Sequence, residues 1–234
     1  MFRRPGLPRS LRSTRGLLFA LTLLIATAFP FAAAAAEAAV TPARPATWAT
    51  AISGVNGLSN LFQVSPQLFR SQQPTAEALQ RILTGKAFAS GNDPIRTVVS
   101  LRAFHDIDGD VLGKADAVHY ERIKMYAWHP KDAEIVEFLR IATTPALQPV
   151  LVHCAQGADR TGVMVAIYRI AVQGWSREDA LKEMTDGGYG FHPIWHDLIS
   201  YVQHLDIDAI KARVAQLGPW PQSRASGIAV VSKS

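Results

Sequence analysis

An α/β fold, with a central, mostly parallel twisted sheet and helices on both faces, is what this sequence predicts. Short β-branched apolar runs, Thr97–Leu101 and Val150–Val152, alternate with segments at helical spacing. One of those segments, Gly162–Val172, is near-continuously apolar and too greasy to lie on a surface. Strand and helix patterns that alternate along a chain argue a parallel or mixed sheet covered on both sides.

The elements follow in order. Residues 37–50 (EAAVTPARPATWAT) form a Pro/Ala-rich tether. Leu68–Arg70 is a short apolar stretch ending in a turn at Ser71-Gln72-Gln73-Pro74. Thr75 N-caps a helix to Leu83, with Glu77 in its first turn and Gly85 past its end. Thr97–Leu101 is a buried strand. Residues 104–116 carry Asp106, Asp108, Gly109, Asp110 and Gly113 and read as a polar loop. They resemble a calcium loop, but the glutamate it requires is missing, which leaves a solvated turn.

His119–Ala127 alternates as a strand. Asp132–Ala142 sets Ile135, Phe138 and Leu139 on one helical face, and Pro145 and Pro149 close the connection to a strand at Val150–Val152. After the buried helix come two more, near Ser176–Met184 and Ile194–Ala215. The domain is thus expected over 51–216, with a Pro/Ser/Gly-rich mobile tail at 217–234.

Net charge is +5, from 24 basic and 19 acidic residues. Arg3, Arg4, Arg9, Arg12 and Arg15 carry that excess, because 24 less those five leaves 19 basic residues against 19 acidic. A neutral body offers no electrostatic case for nucleic acid. The basic start, the apolar run Leu17–Ala28 and the alanines at 32–36 describe a secretory signal peptide over 1–36, cut after Ala36. The alternative is an uncleaved anchor, since Leu17–Ala36 is just long enough to span a bilayer. Export to the periplasm or medium, with no membrane contact after cleavage, is the expectation.

The sole cysteine lies in Val150-Leu-Val-His-Cys-Ala-Gln-Gly-Ala-Asp-Arg-Thr-Gly162, between a buried strand and a buried helix. A loop there turns backbone N–H groups inward at the helix N-terminus and makes an anion cradle. The positive end of the same helix favours a thiolate at Cys154. Arg160 can grip two phosphate oxygens with its planar fork. Gly157 lets the loop turn where a side chain would block a ligand, and Gly162 lets the helix pack closely on the sheet. A thiolate in a nest of donors, clamped by arginine, suits displacement at a phosphate ester without a metal. A core cysteine on a strand end explains none of these placements.

These residues resemble the H-C-x5-R-[S/T] loop of cysteine-dependent protein tyrosine and dual-specificity phosphatases, carried here by His153, Cys154, Arg160 and Thr161. Val98-Val99-Ser100-Leu101-Arg102 and the Asp132–His153 unit extend the likeness to atypical dual-specificity members of plant, fungal and bacterial origin. The resemblance covers roughly residues 65–173. It implies a phosphatase-type fold, no cofactor and no metal, with Cys154 as nucleophile and Arg160 as clamp. Ala155, Gln156, Gly157, Ala158 and Asp159 would bind the phosphate beside Arg160. The Thr161 hydroxyl would bond the sulfur and ease its departure, and His153 would orient the loop and help keep the sulfur ionised.

The general acid has three candidates. Asp132, in Trp128-His129-Pro130-Lys131-Asp132, loosely resembles a Trp-Pro-Asp loop and equally suits an N-cap of its helix. Asp159 lies inside the loop, as an aspartate does in myotubularin-like lipid phosphatases, and His129 is the third. His192 and His196 stand four apart but are split by Pro193 and lack a third ligand. Trp128, Trp175 and Trp195 read as core or rim packing.

A phosphorylated protein or small phosphomonoester is the expected substrate of a monomeric enzyme. The loop residues between Cys154 and Arg160 include no cation, which disfavours highly charged inositol phosphates and phosphoinositides. Rhodanese-like sulfur transfer and a phosphate-binding module without turnover are the competing readings.

Overall fold

A computed structural model describes residues 44–84, 95–105, 107–112 and 118–221 of the chain. Six strands form one mixed sheet in the order β1-β2-β3-β6-β4-β5. They are β1 (Thr50–Ala51), β2 (Phe62–Ser65), β3 (Leu68–Ser71), β4 (Thr97–Arg102), β5 (His119–Met125) and β6 (Val150–His153). β1, β2 and β3 pair antiparallel, whereas β3, β6, β4 and β5 run parallel.

Side chains of the parallel strands alternate between two buried faces. Phe69, Val98 and Leu151 face one side, packed under α1 (Ala76–Leu83) and α2 (Ile107–Leu112) through Leu79, Ile82 and Leu112. Leu68, Val99, Val150 and Val152 face the other, under α3 (Asp132–Thr143) and α4 (Asp159–Gln173) through Ile135, Phe138, Val163 and Ile167. Burial on both faces is why β4 and β6 read as near-continuous apolar runs, whereas β5, at the edge of the sheet, alternates. α5 (Arg177–Asp186), α6 (His196–His204) and α7 (Ile207–Leu217) complete that second layer.

Several expectations hold. Thr75 caps α1, its hydroxyl accepting the Ala78 amide at 3.2 Å, and the central strand β6 is wholly buried. Others are corrected. The helix expected at 194–215 is two, because Asp206 turns the chain and caps α7 through the Ala209 amide at 2.9 Å. The polar loop at 104–116 contains α2, and Asp108 within it is buried rather than solvated. Asp106, Gly113 and Gly85 lie outside the described residues, as does the predicted signal peptide. No described helix is long and apolar enough to cross a membrane.

Both expected loose ends are partly packed. At the N-terminal side, the Ala49 amide donates to Glu183 Oε1 at 2.6 Å, and the Arg44 guanidinium stacks on Trp48, Phe62 and Tyr189. At the C-terminal side Trp220 is buried, its amide on Thr144 Oγ1 at 2.8 Å and its indole N–H on Glu121 at 3.0 Å. The tail expected from Leu217 therefore stays on the domain at least to Trp220.

Arg169 of α4 grips both oxygens of Glu183 at 2.7 and 2.9 Å, fully inside the fold. Burial pushes the Glu183 carboxyl up, but the Arg169 fork and the Ala49 amide outweigh it and hold it below its ordinary 4.5. A depressed folded-state value gives stability that is present above 4.5 and lost as pH falls through the depressed value. Thermal melts across the acid range should therefore show a steep fall in Tm, and Glu183→Gln should flatten it. That variant also lowers Tm at neutral pH, by leaving Arg169 a buried charge without its partner, at a cost of about 3–5 kcal/mol.

Candidate active site

The register of the sheet levels Ser71, His153 and Ser100 at the carboxyl ends of β3, β6 and β4. Ligand sites of open α/β sheets form at that edge. From it the loop 154–158 rises from β6 into α4.

The loop is held from outside by its carbonyls. Ala155 O accepts the Gln73 amide at 3.2 Å, Gln156 O accepts Asn60 Nδ2 at 2.9 Å, and Gly157 O accepts Arg70 Nη2 at 2.6 Å. Ala158 O takes the first helical bond of α4, from Gly162 at 2.8 Å. In a trans peptide each carbonyl points opposite to the next N–H. Anchoring these four carbonyls outward thus turns the amides of Gln156, Gly157, Ala158 and Asp159 toward the inside of the loop. The Gly157 amide meets Cys154 Sγ at 3.3 Å there. No side chain caps α4 at Ala158, which leaves its first amides to a ligand.

Gly157 is required on two grounds. Its φ of +70° is left-handed, and a Cβ would stand 2.4 Å from Ser71 O. Gly162 does permit close packing, but against α5 rather than the sheet: a Cβ would lie 2.9 Å from Met184 Cγ.

The predicted site residues fall as follows. Cys154 is buried at the focus of the loop. Arg160 is half-buried in the first turn of α4, its Nη1 donating to Leu101 O at 3.2 Å and Met125 O at 3.4 Å. Those bonds hold the guanidinium at the ends of β4 and β5. His153 is fully buried, with Nδ1 3.3 Å from Cys154 O and Nε2 3.4 Å from Asp108 Oδ1. The Thr161 hydroxyl is buried and has no partner among the described residues, so the expected bond to the sulfur is not formed. The Gly157 amide takes that place.

Asp108, expected in a solvated turn, joins the site behind His153 instead. Its carboxylate accepts Gln73 Nε2 at 2.8 Å, and Gln73 Oε1 in turn accepts Arg102 Nη1 at 2.9 Å. Burial pushes Asp108 up, but the bond and charge of His153 prevail and hold it below the usual carboxylate range. An ionised carboxylate behind His153 fixes the ring that carries the loop.

Asp159 and Asp132 are positioned differently. Asp159 accepts the His192 amide at 2.9 Å and His192 Nδ1 at 3.0 Å, so His192 is a partner of the loop rather than half of a metal pair. Asp132 accepts the Tyr201 hydroxyl at 2.7 Å. Burial and that carboxylate raise the Tyr201 phenol well above its ordinary value, so it stays a donor. Asp132 is the first residue of α3, and the N-cap is Lys131, whose amide Glu134 accepts at 3.0 Å. Asp132 lines two open grooves, one with Arg140 and Arg213, the other with His129 and His204, and no residue of the 153–161 loop lines either.

Comparison with known proteins agrees with this geometry. Residues 59–192 match the family model described as "DSP-PTPase phosphatase fused to NAD+ Kinase". The dual specificity protein phosphatase TpbA of Pseudomonas aeruginosa (strain UCBPP-PA14) is 36% identical over 160 residues, 67% of each chain. The crystal structure of P. aeruginosa TpbA superposes with a TM-score of 0.59 at 35% identity, over 74% of this chain and 99% of that one. The catalytic core of the PP-IP phosphatase SIW14 from S. cerevisiae, at 19% identity and TM-score 0.57, covers 70% of this chain and 96% of its own, and shares the fold. The chain belongs to the dual-specificity class of the cysteine-based phosphatases. It is accordingly an enzyme that acts on a phosphorylated substrate.

Proposed function

We propose that the protein is an exported protein-tyrosine/dual-specificity phosphatase that hydrolyses phosphomonoesters through a cysteinyl-phosphate, without metal. The observation that carries this reading is the outward anchoring of the loop carbonyls, which points amides into the loop around Cys154. The Cys154 thiolate attacks phosphorus, the ester P–O bond breaks, and the leaving oxygen takes a proton from an acid. Water then attacks phosphorus, giving a proton to the conjugate base of that acid, the S–P bond breaks, and the thiolate departs. The loop amides and the Arg160 fork stabilise the charge on the equatorial oxygens in both steps. The Thr161 hydroxyl, buried and without a partner among the described residues, is available to the departing sulfur.

Two observations favour phosphotyrosine. A relative, P. aeruginosa TpbA carrying a cysteine-to-serine substitution, was crystallised in complex with pTyr. Here Phe104 meets Tyr126 edge to face and Tyr126 meets Trp128 at a tilt, at the ends of β4 and β5 beside the carbonyls that hold Arg160, and Phe104 and Trp128 are 61% and 57% exposed. An open aromatic cluster at that end suits an aryl ester better than a polyanion. Export rests on the basic and apolar sequence of residues 1–36.

The test is turnover by the chain from Glu37 onward, in chelator, on a phosphotyrosine peptide and on an inositol polyphosphate. The peptide should be the better substrate by kcat/KM; preference for the inositol polyphosphate, or a requirement for metal, overturns the reading. Asp132→Asn, Asp159→Asn and His129→Gln assign the acid. Whichever is the donor loses about 10²–10⁴-fold on the peptide and far less on an activated aryl phosphate.

A further inference from the structure

The connection Gly187–His192 carries no recognisable motif, yet it braces the loop at both ends. Tyr189, buried within it, is a hub. Its carbonyl accepts Asn60 Nδ2 at 2.8 Å, and the same amide group reaches Gln156 O at 2.9 Å. Its ring lies 3.6 Å under the Arg70 guanidinium, whose Nη2 holds Gly157 O. Its hydroxyl donates to Glu183 Oε1 at 2.9 Å and accepts Arg44 Nη2 at 2.7 Å. Three residues on, His192 clasps Asp159.

The peptide planes say what these contacts do. Asn60, by holding the Gln156 carbonyl, aims the Gly157 amide at the sulfur. Arg70, by holding the Gly157 carbonyl, aims the Ala158 amide inward. Neither residue needs to touch substrate. Arg70 is fully buried, and its Nε and Nη1 have no partner among the described residues. Burying a cation so poorly paired is costly, and hydrophobic packing alone would favour an apolar residue there. Burial lowers its value only to about 10, so it remains charged at neutral pH. Asn60 holds a left-handed φ of 50°, which few residues other than asparagine and glycine adopt.

We propose that Asn60 and Arg70, both seated on Tyr189, are positioning residues that set the loop peptides for oxyanion binding and for the sulfur. The proposal rests on the assignment of the 154–160 loop as the phosphate cradle, but not on phosphotyrosine being the substrate.

The test uses Asn60→Gly, which keeps the left-handed backbone and removes both bonds, with Arg70→Met and Arg70→Lys. Two readouts are needed: vanadate inhibition, and kcat and KM on an activated aryl phosphate. Asn60→Gly and Arg70→Met should each weaken vanadate binding about tenfold or more, an amount expected for a misplaced oxyanion donor. Both should lower kcat more than they raise KM. Arg70→Lys should restore vanadate binding little, because a single ammonium cannot reproduce the fork. Folded Asn60→Gly protein with wild-type vanadate affinity and kcat overturns the proposal, and decides it should Arg70→Met fail to fold. Vanadate binding and turnover of the activated aryl phosphate stay readable even if the phosphotyrosine peptide proves a poor substrate, so the two failures are distinguishable.

Discussion

Cys154→Ser should abolish turnover, by about 10⁴-fold or more in kcat, while leaving the fold and phosphate binding intact. The substitution removes the one atom on which the loop converges. A serine hydroxyl has to lose a proton before it attacks, and among the described residues no general base is hydrogen-bonded to Cys154: its sulfur meets the Gly157 amide, and the adjacent His153 directs its ring to Cys154 O and Asp108. The site is built to hold negative charge, not to take a proton from a hydroxyl. The amides of Gln156, Gly157, Ala158 and Asp159 keep their anchors, because every one of those anchors lies outside the loop. Calorimetry should therefore find inorganic phosphate bound by Cys154→Ser about as tightly as by wild type. Mixing wild type with substrate and quenching within one turnover should trap a phosphocysteine that the serine variant never forms. Turnover retained by folded Cys154→Ser would remove the cysteine from the chemistry and with it the proposed mechanism.

What the sequence disclosed of this site and what it concealed follow one physical division. The strand, the cysteine, the arginine and the start of the helix are contiguous in the chain, so their geometry is local and the chain states it directly. The same holds for Thr75, whose cap is satisfied three residues on. The supports behind the loop are not local. Asn60 and Gln156 are 96 positions apart, and Arg70 and Gly157 are 87. They meet because β6 enters the sheet between β3 and β4, an order that no window of sequence contains. Asp108 was concealed for a further reason. Aspartates beside glycine favour a solvated turn, yet tertiary contact with His153 and Gln73 draws this one inside a helix of six residues. The break between α6 and α7 was available in Asp206, a good capping residue in the middle of an amphipathic run. Asp132 marks the limit of motif likeness, since sequence distance from Cys154 cannot say that its carboxylate turns to Tyr201.

Arg160→Lys should cost about 10³–10⁴-fold in kcat/KM, a loss of the size found when a transition-state arginine is removed in phosphoryl transfer. The charge survives the substitution, so the prediction separates charge from shape. Arg160 Nη1 is already committed to Leu101 O and Met125 O, which fixes the plane of the guanidinium at the carboxyl ends of β4 and β5. The remaining N–H groups of the fork then have a set direction before any phosphate arrives. A lysine ammonium offers three rotatable donors on a flexible stem; it can satisfy the strand carbonyls or a phosphate oxygen, but not two phosphate oxygens in a fixed plane. Both constants should suffer: KM rises because the ground-state phosphate loses a bidentate partner, and kcat falls because charge on the equatorial oxygens loses a preorganised one. Little should happen to Tm, since the side chain is only half-buried and lysine can replace part of the strand contact. Steady-state kinetics beside a thermal melt read both quantities. A loss confined to KM would mean that Arg160 binds substrate and transition state alike, and that the loop amides alone carry the charge that develops in the reaction.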